Sequence, residues 1–173
     1  MGIQMNEING NRIKLAVIPI ELAQEEYQIF KNPNLFVYTK HDNFKSIEEA
    51  QAFIERHNQA GNFWGIFLKS NKLIGNCQFA IKGTTGELSY TIAEEYWGHG
   101  FASETVKTLI EFGFKSFSLN KVIGGCVPDN VASKKVMLKN GMSFFTLEKR
   151  AFEKNGRVYD LAYFERRFQN YEG

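Results

Sequence analysis

Cysteine, histidine and proline are all scarce in this 173-residue sequence, and each shortage removes a class of answers. The two cysteines, Cys77 and Cys126, sit in separate apolar runs and match no zinc or secreted-disulfide spacing, so both are expected as buried free thiols in a reducing compartment. His41, His57 and His99 are scattered without a second ligand at helical or hairpin spacing, and no metal centre is expected. With only 3 prolines against 43% hydrophobic and 14% aromatic residues, the chain is neither collagen-like nor disordered. No apolar run reaches the roughly 18 residues that would suggest a membrane span. The opening MGIQMNEING lacks the apolar centre of a secretory signal, and Asn6 stands where a myristoylation signal has Ser or Thr. An excess of one charge is missing too: 21 basic against 19 acidic residues leave a net charge of +2. That balance is too even for non-specific nucleic-acid binding, so an acidic ligand has to be met locally. At this length roughly 70% of the unfolded surface can be buried without disulfides or metal. The expectation is one cytoplasmic domain over residues 1–173.

The hydrophobic pattern supplies the order of elements. A first strand is expected at 12–18 (RIKLAVI), then a helix at about 20–31 with Leu22, Ala23, Tyr27 and Phe30 on one stripe, stopped by NPN at 32–34. Ser46 and Glu49 form a capping-box signature that opens a second helix ending near Ala60-Gly61. Three aromatic and β-branched runs, 62–69, 72–81 and 86–92, predict an antiparallel meander. An amphipathic helix follows, with Ala102, Val106, Leu109, Ile110, Phe114 and Phe117 at helical spacing. Next come a strand at 121–127, a short helix ending at Asn140-Gly141, and two strands at about 142–153 and 157–168 joined by Asn155-Gly156. This is an α/β chain: an antiparallel front half, a β-α-β-α unit and a terminal hairpin.

The chemistry belongs at the junction between the third run of the meander and the amphipathic helix. Gly98-His99-Gly100 precedes that helix, whose first amides and positive dipole end suit a phosphate or pyrophosphate. The plain alternative is a tight turn and nothing more. A Rossmann loop is disfavoured because FSLN at 117–120 lacks the acidic ribose partner, and a Walker A loop is excluded because no Gly-Lys-Ser/Thr occurs.

The run 97–102 (WGHGFA) resembles the pyrophosphate loop of the GNAT superfamily of N-acetyltransferases, with Gly100 and Ala102 on the pattern and Trp97 in place of its Gln or Arg. The wider run 87–104 and the segment 128–141 (PDNVASKKVMLKNG) resemble the branch that includes the ribosomal-protein N-terminal acetyltransferases, across about residues 10–168. Two ordered motifs are far more specific than either alone. Met142 stands where that branch usually has Phe.

The resemblance implies a GNAT-like fold: a mixed, mostly antiparallel twisted sheet of about seven strands flanked by about four helices, with strands 4 and 5 splayed. It also implies transfer of acetyl from acetyl-CoA to a primary amine, in a protein N-terminus or a small molecule, by direct attack on the thioester. The acetyl-CoA contacts are expected from Trp97, Gly98, His99, Gly100, Phe101, Ala102 and Ser103, with Asn130 near the pantetheine or sulfur. Ser133 is the implied acid for the leaving thiolate, although a hydroxyl in the first turn of a helix also serves as a cap. Glu87 is the implied base, with Asp160 behind it and a solvated strand carboxylate as the plain reading. Glu94, Glu95 and Glu104 are expected to be solvated. A non-catalytic acyl-CoA sensor of the same fold is the alternative. The charges of the terminal hairpin interleave and predict no nucleic-acid partner; a monomer or homodimer is expected.

Overall fold

The computed structural model describes residues 7–169. Eight strands form one sheet in the order β1-β2-β3-β4-β5-β6-β8-β7. They are β1 (Glu7–Asn9), β2 (Ile13–Ala16), β3 (Phe63–Leu68), β4 (Leu73–Lys82), β5 (Thr85–Ile92), β6 (Lys121–Cys126), β7 (Ser143–Lys154) and β8 (Arg157–Arg167). All neighbours are antiparallel except β5 and β6. The count exceeds the expected seven by β1, a three-residue strand whose Ile8 is buried between two exposed polar residues. The reading of residues 1–6 as free of any signal lies outside the described residues.

Four α-helices cover the sheet: α1 (Ala23–Phe30), α2 (Ile47–Ala60), α3 (Phe101–Ser116) and α4 (Val131–Lys139). Ser46 opens α2 by accepting from the Glu49 N–H at 3.2 Å, and Glu49 reaches back one residue beyond the cap, to the Lys45 N–H at 2.8 Å. The amphipathic stripe of α3 buries Val106, Leu109, Ile110 and Phe112 against the sheet. On the opposite face, α1 and α2 pack over a smaller cluster around Ile18, Ile54, Phe63 and Phe67. Cys77 and Cys126 are free and buried. Among the described residues no helix is long and apolar enough to cross a membrane.

One irregularity of the sheet positions the site. The parallel pairing of β5 with β6 runs from Thr85↔Lys121 to Leu88↔Gly124 and stops there, although β5 continues to Ile92 and β6 to Cys126. Alternation along β5 sends Leu88, Tyr90 and Ile92 to the α3–α4 face and Glu87, Ser89 and Thr91 to the α1–α2 face. The expected splay is therefore present, between the fifth and sixth strands once β1 is counted.

Candidate active site

A cavity of about 760 Å³ opens at the end of this gap and reaches from α4 on one face of the sheet to α1 and α2 on the other. On the α4 side it is bordered by Tyr90, Cys126, Asn130 and Ser133. Asn130 is the N-cap of α4, its Oδ1 accepting from the Ser133 N–H at 3.2 Å. Capping, one of the two roles left open for Ser133, therefore falls to Asn130. The Ser133 hydroxyl instead faces across the gap, 3.0 Å from the Tyr90 Oη. Burial pushes the Tyr90 phenol up, against the opposing effect of its bond to Ser133, so it keeps its proton at neutral pH. The Cys126 thiol is also raised by burial, with its bond to Ser133 acting the other way. Nothing in the sequence pattern singles out Tyr90, whose place on the wall of the cavity depends on the splay.

At the far end of β5 the glycine loop is held from both sides. The Trp97 indole N–H donates to the Ile92 carbonyl at 2.8 Å, and His99 Nδ1 lies 2.9 Å from the Trp97 carbonyl. Gly98 and Gly100 have φ of +77° and +81°, a region that a Cβ disfavours. Gly100 is the N-cap of α3 and brings no capping side chain, so the amides of Phe101, Ala102 and Ser103 have no acceptor within the helix. The Ser103 Oγ accepts from the Asn140 side-chain amide at 3.1 Å, which leaves the residue its backbone N–H and its hydroxyl proton to offer a ligand.

Glu104 is not solvated. Its carboxylate accepts from the Ile13 N–H at 3.2 Å, from the Arg12 N–H, and from Arg12 Nε at 2.8 Å. Burial pushes this carboxyl up, but the two amides and the guanidinium outweigh it and hold it below the ordinary range. Arg12 in turn donates from Nη1 to the His99 carbonyl at 2.9 Å and stacks 4.4 Å over the Phe101 ring. A residue of the turn between β1 and β2 thus fixes the glycine loop, and nothing in its local pattern announces this. Glu94 also has partners, the side-chain amides of Asn32 and Asn34, which draw its carboxyl below the ordinary range.

The two expected bases lie apart from the hydroxyl pair. Glu87 is half-buried on the α1–α2 face and is not on the cavity wall. It lies close enough to Tyr163 to help raise that phenol, after burial and Glu148. Asp160 accepts from the Arg150 N–H at 2.8 Å, at an irregularity of β7 where Arg150 has a φ of +54°. A third carboxyl was missed. Glu26 of α1, fully buried, falls in the stripe with Ala23 and Phe30; its Oε1 accepts from Asn76 Nδ2 at 2.8 Å and its Oε2 has no partner. Burial pushes Glu26 to about 8, its bond to Asn76 opposing. Asn76 itself borders the cavity. No group of three or more His, Cys, Asp or Glu placed to hold a metal occurs among the described residues.

The fold has counterparts. The RimL ribosomal L7/L12 α-N-protein acetyltransferase, solved with coenzyme A, superposes with a TM-score of 0.83 at 21% identity, over 93% of this chain and 97% of its own. The microcin C7 self-immunity acetyltransferase MccE, solved with acetyl-CoA and AMP, gives 0.84 at 22% identity, over 96% and 99%. In sequence, the uncharacterized N-acetyltransferase p20 of Bacillus licheniformis is 30% identical over 98% of this chain and 100% of its own length. The acetyltransferase (GNAT) domain family matches residues 13–143, from the start of β2 through the splayed pair to the first residue of β7. With the family match and the relative agreeing over most of the chain, this protein belongs to the GNAT acetyltransferases and is an N-acetyltransferase of that family.

Proposed function

We propose that the chain, as one domain in the cytoplasm, transfers acetyl from acetyl-CoA to a primary amine. The observation that carries the reading is the Tyr90–Ser133 hydroxyl pair, 3.0 Å apart at the open end of the β5/β6 gap, with the glycine loop and the N-terminus of α3 following the same strand. Acetyl-CoA supplies an acyl carbon activated as a thioester. The amides of Phe101 to Ser103 and the loop around Gly98 and Gly100 hold its pyrophosphate, helped by the dipole of a 16-residue helix. Arg12 and Glu104 keep that loop in its binding shape. Asn130 and the walls of the gap receive the pantetheine.

In the transfer, the ammonium first gives up one proton; the neutral amine nitrogen then bonds to the acetyl carbon as the carbon–sulfur bond breaks, and the nitrogen sheds a second proton while the departing sulfur gains one. The hydroxyl pair donates toward the sulfur, and its protonated phenol suits that direction. Glu87 receives the ammonium proton through water along the strand face that Ser89 and Thr91 continue into the cavity. Asp160, already bonded to the Arg150 amide, is less free to do so.

The test is release of CoA from acetyl-CoA across a panel of amines, alongside the shift in melting temperature with acetyl-CoA alone. A turnover-dependent release together with a rise in Tm supports the transferase. Binding without release on any amine would replace it with a sensor.

A further inference from the structure

The α1–α2 side of the cavity differs in character from the hydroxyl side. Rings from four segments meet there in a chain: Phe36 to Phe30 at 6.2 Å between centroids, Phe30 to Phe44 at 6.0 Å, and Phe44 to Phe53 at 5.3 Å. Phe53 continues it to His57 at 3.9 Å and to Phe63 at 5.3 Å. Phe30 and Phe63 are buried beneath, while Phe36, Phe44 and Phe53 stay half-buried and form cavity wall. Half-exposed rings edge to face are a surface that favours another flat apolar group.

The charged groups on this side are few. Two carboxylates border the cavity: Asp42, largely exposed and 3.6 Å from Lys154 Nζ, and Glu49, which accepts from the backbone N–H of Lys45 at 2.8 Å. Arg56 also borders it and has no ion pair among the described residues. One neutral polar group remains. Asn76 commits its Nδ2 to the buried Glu26, so its amide oxygen is left for the cavity that the residue borders. That oxygen can accept from one N–H of an entering amine.

We propose that the acceptor is a small amine carried on an aromatic body, its ring against Phe36, Phe44 and Phe53 and its amine at the Asn76 oxygen. This rests on the acetyl-transfer reading above and narrows it to a class of acceptor. It differs from that reading in what would overturn it.

The experiment compares kcat/KM for 2-phenylethylamine, propylamine, spermidine and a short peptide with a free N-terminal serine, read as CoA release. 2-Phenylethylamine should exceed propylamine by about tenfold or more, the scale of one well-packed ring. Phe53→Ala should bring the ratio of these two amines close to one. Should Phe53→Ala unfold, Tyr38→Ala, another half-buried wall residue, replaces it and should cut the same ratio. A preference for spermidine or for the peptide overturns the acceptor class, as does a ratio that both variants leave unchanged. In those cases acetyl-CoA still raises Tm and CoA is still released. If no amine releases CoA and acetyl-CoA leaves Tm unmoved, the acetyl-transfer reading fails first and the acceptor class with it.

Discussion

Replacing Glu26 by Gln should make the protein's stability much less sensitive to alkaline pH. Gln keeps an oxygen for Asn76 Nδ2 and removes the group that would ionise. In the folded chain burial holds Glu26 protonated up to about 8, against a usual 4.5. Because the folded-state value is the higher one, its contribution is fully present below the unfolded value and is lost as pH rises through the folded one. Across a shift from 4.5 to about 8, the loss between pH 5 and pH 9 amounts to about 4 kcal/mol. For a domain of this size that corresponds to a Tm difference on the order of 10 °C. The assay is thermal unfolding of both proteins at the two pH values. At pH 5 Glu26→Gln should be neutral or slightly less stable, because its new N–H group sits where Oε2 already lacks a partner. At pH 9 it should be the more stable of the two. Parallel pH dependences for wild type and variant would refute the reasoning, because Glu26 would then titrate alike folded and unfolded.

The remaining predictions concern the site. Gly100→Val, which places a branched side chain at a φ of +81° and within 3.3 Å of Arg12 at its Cβ, should abolish the acetyl-CoA-dependent rise in Tm while the free protein stays folded; wild-type CoA affinity in calorimetry would remove the loop from binding. Tyr90→Phe and Ser133→Ala should each lower kcat by roughly tenfold to a hundredfold with little change in acetyl-CoA affinity. Equal losses of stability and rate would make the pair structural. Glu87→Gln should slow transfer and regain rate at higher pH, where more amine is neutral; an unchanged pH–rate profile would take Glu87 out of the mechanism.

Most of the fold could be read from the chain because its elements follow their own periodicity and caps. Ser46 and Glu49, the stripe of α3 and Asn155-Gly156 each act within a few residues. β1 was not legible, since three residues with a single apolar one carry no alternation to detect. The same division runs through the site. Gly98, Gly100 and Ser133 carry local signals. Arg12 acts 92 residues away from Glu104, and Tyr90 43 away from Ser133, so their roles exist only after the sheet has formed. Glu26 left a faint trace, a carboxyl in register with Ala23 and Phe30, that reads as a fault in the stripe until Asn76 is beside it.

The parting of β5 from β6 creates an edge inside the sheet. Backbone N–H and C=O groups beyond Leu88 and Gly124 lose each other as partners, as at any sheet margin, yet helices and the cavity walls enclose them. An outer margin invites whole strands from other molecules and the aggregation that follows. On the acetyl-transfer reading, this inner one would instead take a slender extended chain with amides of its own. A guest of that kind would also act as a stitch, joining the five strands before the gap to the three after it. Hydrogen exchange at Ser89 to Thr91 and at Gly125 to Val127 should then slow together when the cavity fills, before any other part of the sheet responds.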